Sequence, residues 1–196
     1  MSEEIKDRTI RNFAKAQIIE KKSKFISQIK HVETEEEAIS FIKEVKKENS
    51  QARHNVYAYI ISKKQKVDDR GKTQFFSERV RFSDDGEPSQ TAGTPVLNAL
   101  RSENLADVAC VVTRYFGGIL LGTGGLSRAY FSSVKAAIDD AKERGGVVDI
   151  VNYKDEIIEC DYKELDFNKK LIEDKKGIID DIDYGAKVVI KARIPL

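Results

Sequence analysis

Cysteine, histidine and proline are scarce in this chain of 196 residues, which holds two, two and three of them. Cys110 and Cys160 lie far apart, and Cys110 sits inside the apolar run Val108 to Val112. That placement suits buried free thiols in a reducing compartment better than a disulfide framework or a zinc site. With His31 and His54 as the only histidines, a dinuclear peptidase centre could draw at best on His54 and the acids between 84 and 87. Long apolar runs are missing too: Val108 to Val112 falls far short of the roughly 20 residues that a membrane-spanning helix needs. The opening MSEEIKDRTI lacks the apolar core of a signal peptide, so a cytoplasmic protein is expected, with no membrane partner. Nor is there an excess of one charge: 34 Lys and Arg stand against 33 Asp and Glu, for a net charge of +1. By itself that balance announces neither a nucleic acid nor a membrane.

What is there is the composition of a folded protein, 40% hydrophobic and 34% charged, enough for one or two modest cores. The charges are unevenly placed. Residues 1–82 carry 19 Lys/Arg against 13 Asp/Glu, whereas residues 146–196 carry 9 against 12, so the front of the chain is mildly basic.

Gln17 to Glu20 and Phe25 to Val32 read as strands joined by the cationic turn Lys21 to Lys24. Thr34 and Glu37 form a capping box for a helix whose apolar stripe is Ala38, Phe41, Ile42 and Val45. His54 to Ser62 is apolar on both faces, and Thr73 to Phe82 is expected as one pairing strand. Ser83 to Pro95 is long for an internal connection, and Thr94 with Pro95 opens a short helix with Val96, Leu97 and Leu100 inward. Asp107 to Phe116 is a strand buried on both faces, followed by a glycine-rich loop and a helix from about Leu126 to Arg144. The pair Gly145 and Gly146 ends that helix and marks the expected boundary between domains 1–145 and 146–196. Past it come a strand Ile157 to Tyr162, a helix Glu164 to Lys176, a strand Ile178 to Tyr184 and a last strand that should bury Ala186, Val188, Ile190, Ala192 and Ile194 against the helix.

Gly117, Gly118, Gly122, Gly124 and Gly125 lie between a buried strand and a helix N-terminus, flanked by Arg114 and Arg128. Free N–H groups and the helix dipole would favour an anion there. The other reading is that the glycines supply positive φ and close packing in a tight turn. Thr123 stands where a Walker A loop needs Lys, and no G-x-G-x-x-G occurs, so no nucleotide cofactor is implied. Asp84, Asp85 and Glu87 could hold Mg²⁺ through oxygen ligands, or could instead form turns beside Gly86 and Pro88 and ion pairs with Arg79, Arg81 or the glycine-loop arginines. Hydroxyls at Ser83, Ser89, Thr91, Thr94 and Thr123 have no G-x-S-x-G elbow to accompany them, and no catalytic nucleophile stands out.

The blocks SDDGEPSQTAGTPVLNAL and VVTRYFGGILLGTGGLSRAY, with KKSKF before them and RHNVYAY between, resemble the signature of the YigZ/IMPACT N-terminal domain family over about residues 18–136. The resemblance implies a two-layer α+β fold. Its first domain is a βα sandwich like the second domain of a small-subunit ribosomal protein. Its second is ferredoxin-like, similar to the last domain of elongation factor G and here shortened to β-α-β-β. Eukaryotic relatives of the family act in control of translation through a kinase activator. Two positions depart from the pattern: Gln90 stands where Gly is common, and Leu120 where Lys is common.

Two functions are therefore carried forward, ahead of a third, a protein-interaction regulator with no anion site. One is a noncatalytic module binding RNA, the ribosome or a translation factor through Arg114, Arg128, the glycine loop and the polar loop Ser83 to Thr94, with Asp84, Asp85, Glu87, Thr91 and His54 as further candidates. The other is a metal-assisted enzyme on a phosphorylated or nucleotide substrate, built on Asp84, Asp85 and Glu87. A complete ferredoxin-like unit would add a helix and a strand, so the second domain is expected to self-associate or to dock on the first.

Overall fold

The computed structural model describes residues 7–62, 64–67, 73–151 and 153–195. They form two compact units, Met1–Lys63 with Ser77–Ile150, and Lys64–Phe76 with Val151–Leu196. The fold is α+β.

In the first unit, strands β1 (Arg8–Ile10), β2 (Phe13–Glu20) and β3 (Ser23–His31) lead into helix α1 (Glu35–Glu48), followed by β4 (His54–Ile61). After the hairpin strands β5 (Lys64–Val67) and β6 (Thr73–Phe76), which group with the second unit, come β7 (Arg79–Ser83), α2 (Gly93–Arg101), β8 (Val108–Tyr115), α3 (Gly122–Glu143) and β9 (Val147–Asp149). Five of these strands form one antiparallel sheet in the order β2-β3-β8-β4-β7.

The alternation along β8 and β4 explains the layers. Val108, Cys110 and Val112, with Val56, Ala58 and Ile60, point to the α2 and α3 side; Ala109, Val111, Tyr59 and Ile61 point to α1 and its Ala38, Phe41, Ile42 and Val45. Both faces of these strands are apolar, and each needs cover. The first unit therefore has three layers where two were expected. Thr34 Oγ1 accepts from the Glu37 N–H at 3.2 Å, and the Glu37 carboxylate accepts from the Glu33 N–H at 2.7 Å, which fixes the start of α1.

Several boundaries move for local reasons. β2 and β3 turn on two residues, Lys21 and Lys22, with φ of 45° and 65°, the left-handed pair of a tight hairpin that normally favours Asn-Gly. The strand expected over Thr73 to Phe82 divides into β6 and β7. α3 starts at Gly122 rather than near Leu126, so the GTGG run is its first turn. The domain division falls after Ile150 rather than after Gly145, because β9 pairs with β1 and belongs to the first unit.

In the second unit, β10 (Tyr153–Cys160), a 3-10 turn (Tyr162–Glu164), α4 (Leu165–Asp174), β11 (Ile178–Tyr184) and β12 (Val188–Pro195) form an antiparallel sheet in the order β10-β12-β11 with one helix. Val188, Ile190, Ala192 and Ile194 are buried with Cys160 and Ile172. Ala186 is exposed, not buried as expected, because it lies in the turn before β12, where Gly185 N–H reaches the Lys187 carbonyl at 3.1 Å. Among the described residues no helix is long and apolar enough to cross a membrane.

Gly117 shows how the hairpin turn is seated. A Cβ there would stand 2.0 Å from the carbonyl carbon of Lys22, while the Gly117 N–H donates to Ser23 Oγ at 3.1 Å. Gly117→Ala must push the Lys21–Lys22 turn off the end of β8. The expected loss is about 3 kcal/mol, measured by urea denaturation; an unchanged midpoint would contradict this docking.

Candidate functional site

The loop after β7 carries three carboxylates, and the structure sends each to a different place. Asp84 accepts from the N–H groups of Gln90 (2.9 Å), Ala92 (3.0 Å) and Gly93 (2.8 Å). It thereby caps α2, whose own cap position is Ala92 and offers no side-chain oxygen. This displaces the expected Thr94 cap: the helix has already begun at Gly93, and Pro95 lies inside its first turn. The price in backbone strain falls on Gln90, held at φ 62°, where a glycine would sit freely.

Asp85 accepts from Lys46 Nζ at 2.6 Å and from the Asn55 N–H at 2.7 Å. Its carbonyl lies 2.9 Å from His54 Nδ1; because a carbonyl can only accept, Nδ1 carries the proton. Thr91 donates its hydroxyl to the Pro88 carbonyl at 2.6 Å and closes the loop on itself.

Glu87 turns inward. Its Oε1 accepts from Arg114 at 2.6 Å and from the Tyr130 hydroxyl at 2.8 Å, and the side chains of Glu87 and Arg114 are only 3% and 7% exposed. Arg114 lies on β8 opposite Phe25 of β3 and His54 of β4. Its guanidinium stands 5.6 Å from the Phe25 ring centre and 5.5 Å from that of Phe116, within cation–π range. Arg114 Nε is buried with no protein partner. Phe25 also meets Tyr130 edge to face at 5.1 Å. Burial, with the neighbouring Glu87 carboxylate, pushes the Tyr130 hydroxyl far above its ordinary range, so it remains a donor to Glu87.

These geometries correct two expectations. Asp84, Asp85 and Glu87 do not converge, and no group of three or more His, Cys, Asp or Glu side chains among the described residues is placed to hold a metal ion. Arg114 does not offer its charge to the surface, since a buried carboxylate already engages it.

The glycines separate into two roles. Gly117 allows the close backbone contact, and Gly118 takes φ 85° in the turn. Gly122, Gly124 and Gly125 make the first turn of α3, where no side chain caps the helix and no acidic residue stands. Arg128, one turn further on, is exposed. It lines a cavity of about 270 Å³ with Lys21, Glu20, Ser132 and the Gly125 backbone, over Ile18. Lys21 and Lys22 are the residues that sequence reasoning left outside the site. Their signal was a lysine pair at a hairpin tip, read as a turn and as part of the KKSKF block but not as a binding element.

The Impact N-terminal domain matches residues 21–138. The chain belongs to the IMPACT family. It is 35% identical over 180 residues to the IMPACT family member YvyE of Bacillus subtilis, covering 92% of this chain and 76% of YvyE. With YigZ of Escherichia coli the identity is 35% over 175 residues, covering 89% and 79%. A solved structure described as the crystal structure of a hypothetical protein is similar at a TM-score of 0.64 and 31% identity, over 98% of this chain and 87% of that one. The matched IMPACT region contains the hairpin turn, the carboxylate loop, the glycine turn and Arg128.

Removing one member of a buried ion pair strands the other charge. Glu87→Ala and Arg114→Ala are each expected to cost about 3–5 kcal/mol of stability, read from urea midpoints. The double variant should lose clearly less than the sum. Losses below about 1 kcal/mol, the range of a surface pair, would contradict the buried arrangement.

Proposed function

We propose that this protein is a noncatalytic module that binds RNA of the translation machinery through the corner formed by the first turn of α3, Arg128 and the Lys21–Lys22 turn. One observation carries the reading: an uncapped glycine turn opens a 22-residue helix beside exposed cations. Among the described residues, Lys21, Lys22 and Arg128 form no ion pair with a carboxylate. The helix dipole and free N–H groups favour a phosphate at that point, and the three cations add the sequence-independent attraction on which RNA binding rests. Membership of the IMPACT family supports a setting in translation, the role that the sequence resemblance implies for its eukaryotic relatives. A cytoplasmic location accords with this role.

The rival, a metal-assisted enzyme, would need Asp84, Asp85 and Glu87 to give up the N–H groups, Lys46, Arg114 and Tyr130 that now engage them. Leu120 takes one cation away from this corner, which weakens its hold on phosphate. It is 80% exposed at the position where the family commonly has Lys, so a cation fits there without loss of packing.

Fluorescence anisotropy with labelled rRNA stem–loops tests the proposal. Three phosphate contacts predict a log–log salt slope of about −3 on a duplex. Lys21→Glu with Arg128→Glu should weaken binding more than about tenfold, and Leu120→Lys should strengthen it a few fold. Absence of binding at low salt would overturn the RNA reading and leave a protein partner.

A further inference from the structure

On the α1 side of the five-stranded sheet, the helix packs over β4 and β8, with Phe41, Ile42 and Val45 against Tyr59, Ile61, Ala109 and Val111. β2 and β3 continue that face to its edge, where α1 covers it only in part: Phe13 meets Phe41 edge to face at 6.4 Å and Gln28 is buried. Phe13, Lys15, Gln17 and Ile19 of β2 stand opposite Lys30, Gln28, Ile26 and Lys24 of β3, and Lys24 stands opposite Tyr115 of β8. Directly paired residues share a face. The intervening Ala14, Ala16 and Ile18 go to the core on the other side. Three lysines therefore share a surface with Phe13, Ile19 and Tyr115, and its strand positions hold no carboxylate.

None of these lysines makes an ion pair among the described residues. Lys24 Nζ lies 4.7 Å from the centre of the Tyr115 ring, and Lys30 Nζ lies 5.7 Å from that of Phe41. Phe13 is 42% exposed and Ile19 68%. Between this face and α1 runs a groove of about 450 Å³ with Phe13, Gln28 and Phe41 in its walls and Glu44 and Glu48 on the helix side. The acids lie on α1 and the lysines on the strands, so an anionic chain is directed along β2 and β3.

We infer that this half-face binds a single-stranded polynucleotide, with phosphates along Lys15, Lys24 and Lys30 and a base against the exposed ring of Phe13. Flat aromatic faces between unpaired cations are the chemistry of single-strand recognition, in which stacking tolerates any base. The inference rests on the RNA reading above and deepens it. It names the single-stranded form and a second surface, which reaches the α3 corner through the Lys21–Lys22 turn joining β2 to β3.

The test uses the full chain and two probes, a fluorescein-labelled oligouridylate of about ten nucleotides and an rRNA stem–loop. The oligouridylate should bind with a log–log salt slope near −2, for three contacts on a single strand. Phe13→Ala should weaken it about tenfold. Phe13→Tyr, which keeps an aromatic ring in place, should retain binding, and thermal melts establish that both variants are folded. Lys15→Gln with Lys24→Gln and Lys30→Gln should flatten the slope. If the oligouridylate fails to bind, or binds with no response to these changes, while the stem–loop still responds to Lys21→Glu with Arg128→Glu, the inference is overturned and the corner stands. If neither probe binds, the RNA reading fails and this inference falls with it.

Discussion

Glu87 carries a carboxylate into the interior at the end of β8, and the sheet, the long loop and α3 all meet on it. Taking a charge out of water costs several kcal/mol per ion even after relaxation, so this arrangement persists only because Arg114 supplies the opposite charge and Tyr130 a second donor to the same oxygen. Each partner brings an element with it. Arg114 fixes the end of β8 between Phe25 and Phe116, Tyr130 fixes α3, and Glu87 fixes the loop between β7 and α2. Any movement of one element would leave a buried group unpaired.

The other two acids of the loop extend the same logic. Asp84 holds the start of α2 through three N–H groups, and Asp85 ties the loop to Lys46 of α1 and to the backbone of β4. The carboxylates of the first unit's most polar loop are thus engaged by protein donors. On the neighbouring α3 corner, Lys21, Lys22 and Arg128 remain exposed, so a chain with almost no net charge offers a locally cationic site. Long-range attraction would be weak for such a molecule, and affinity would depend on short contacts at fixed positions.

Strong periodicity made much of the architecture legible. The stripe of α1, the two-faced apolar runs of β4 and β8 and the alternation from Val188 to Ile194 each correspond to a buried surface. β1 and β9 escaped because three residues are too few to show a period, and their pairing links opposite ends of the first unit. The start of α3 escaped because glycine is among the poorest helix formers; GTGG reads as a loop, yet forms the turn that exposes N–H groups. At the site, the acids were found and an ion pair with a glycine-loop arginine was among their readings, as Glu87 with Arg114 shows; that Asp84 faces α2 and Asp85 faces β4 depends on tertiary placement that a sequence does not reveal. The departure at Gln90 now has a physical meaning, for that residue occupies a left-handed conformation.

The central claim is that the carboxylate loop serves internal order while the α3 corner faces the ligand. An amide NMR titration of the full chain with an rRNA stem–loop tests it most directly. The account predicts that the largest shifts fall on Lys21, Lys22 and the stretch from Gly122 to Arg128, with Asp84, Asp85 and Glu87 little changed. Shifts concentrated between Asp84 and Ala92, with the α3 corner silent, would contradict it.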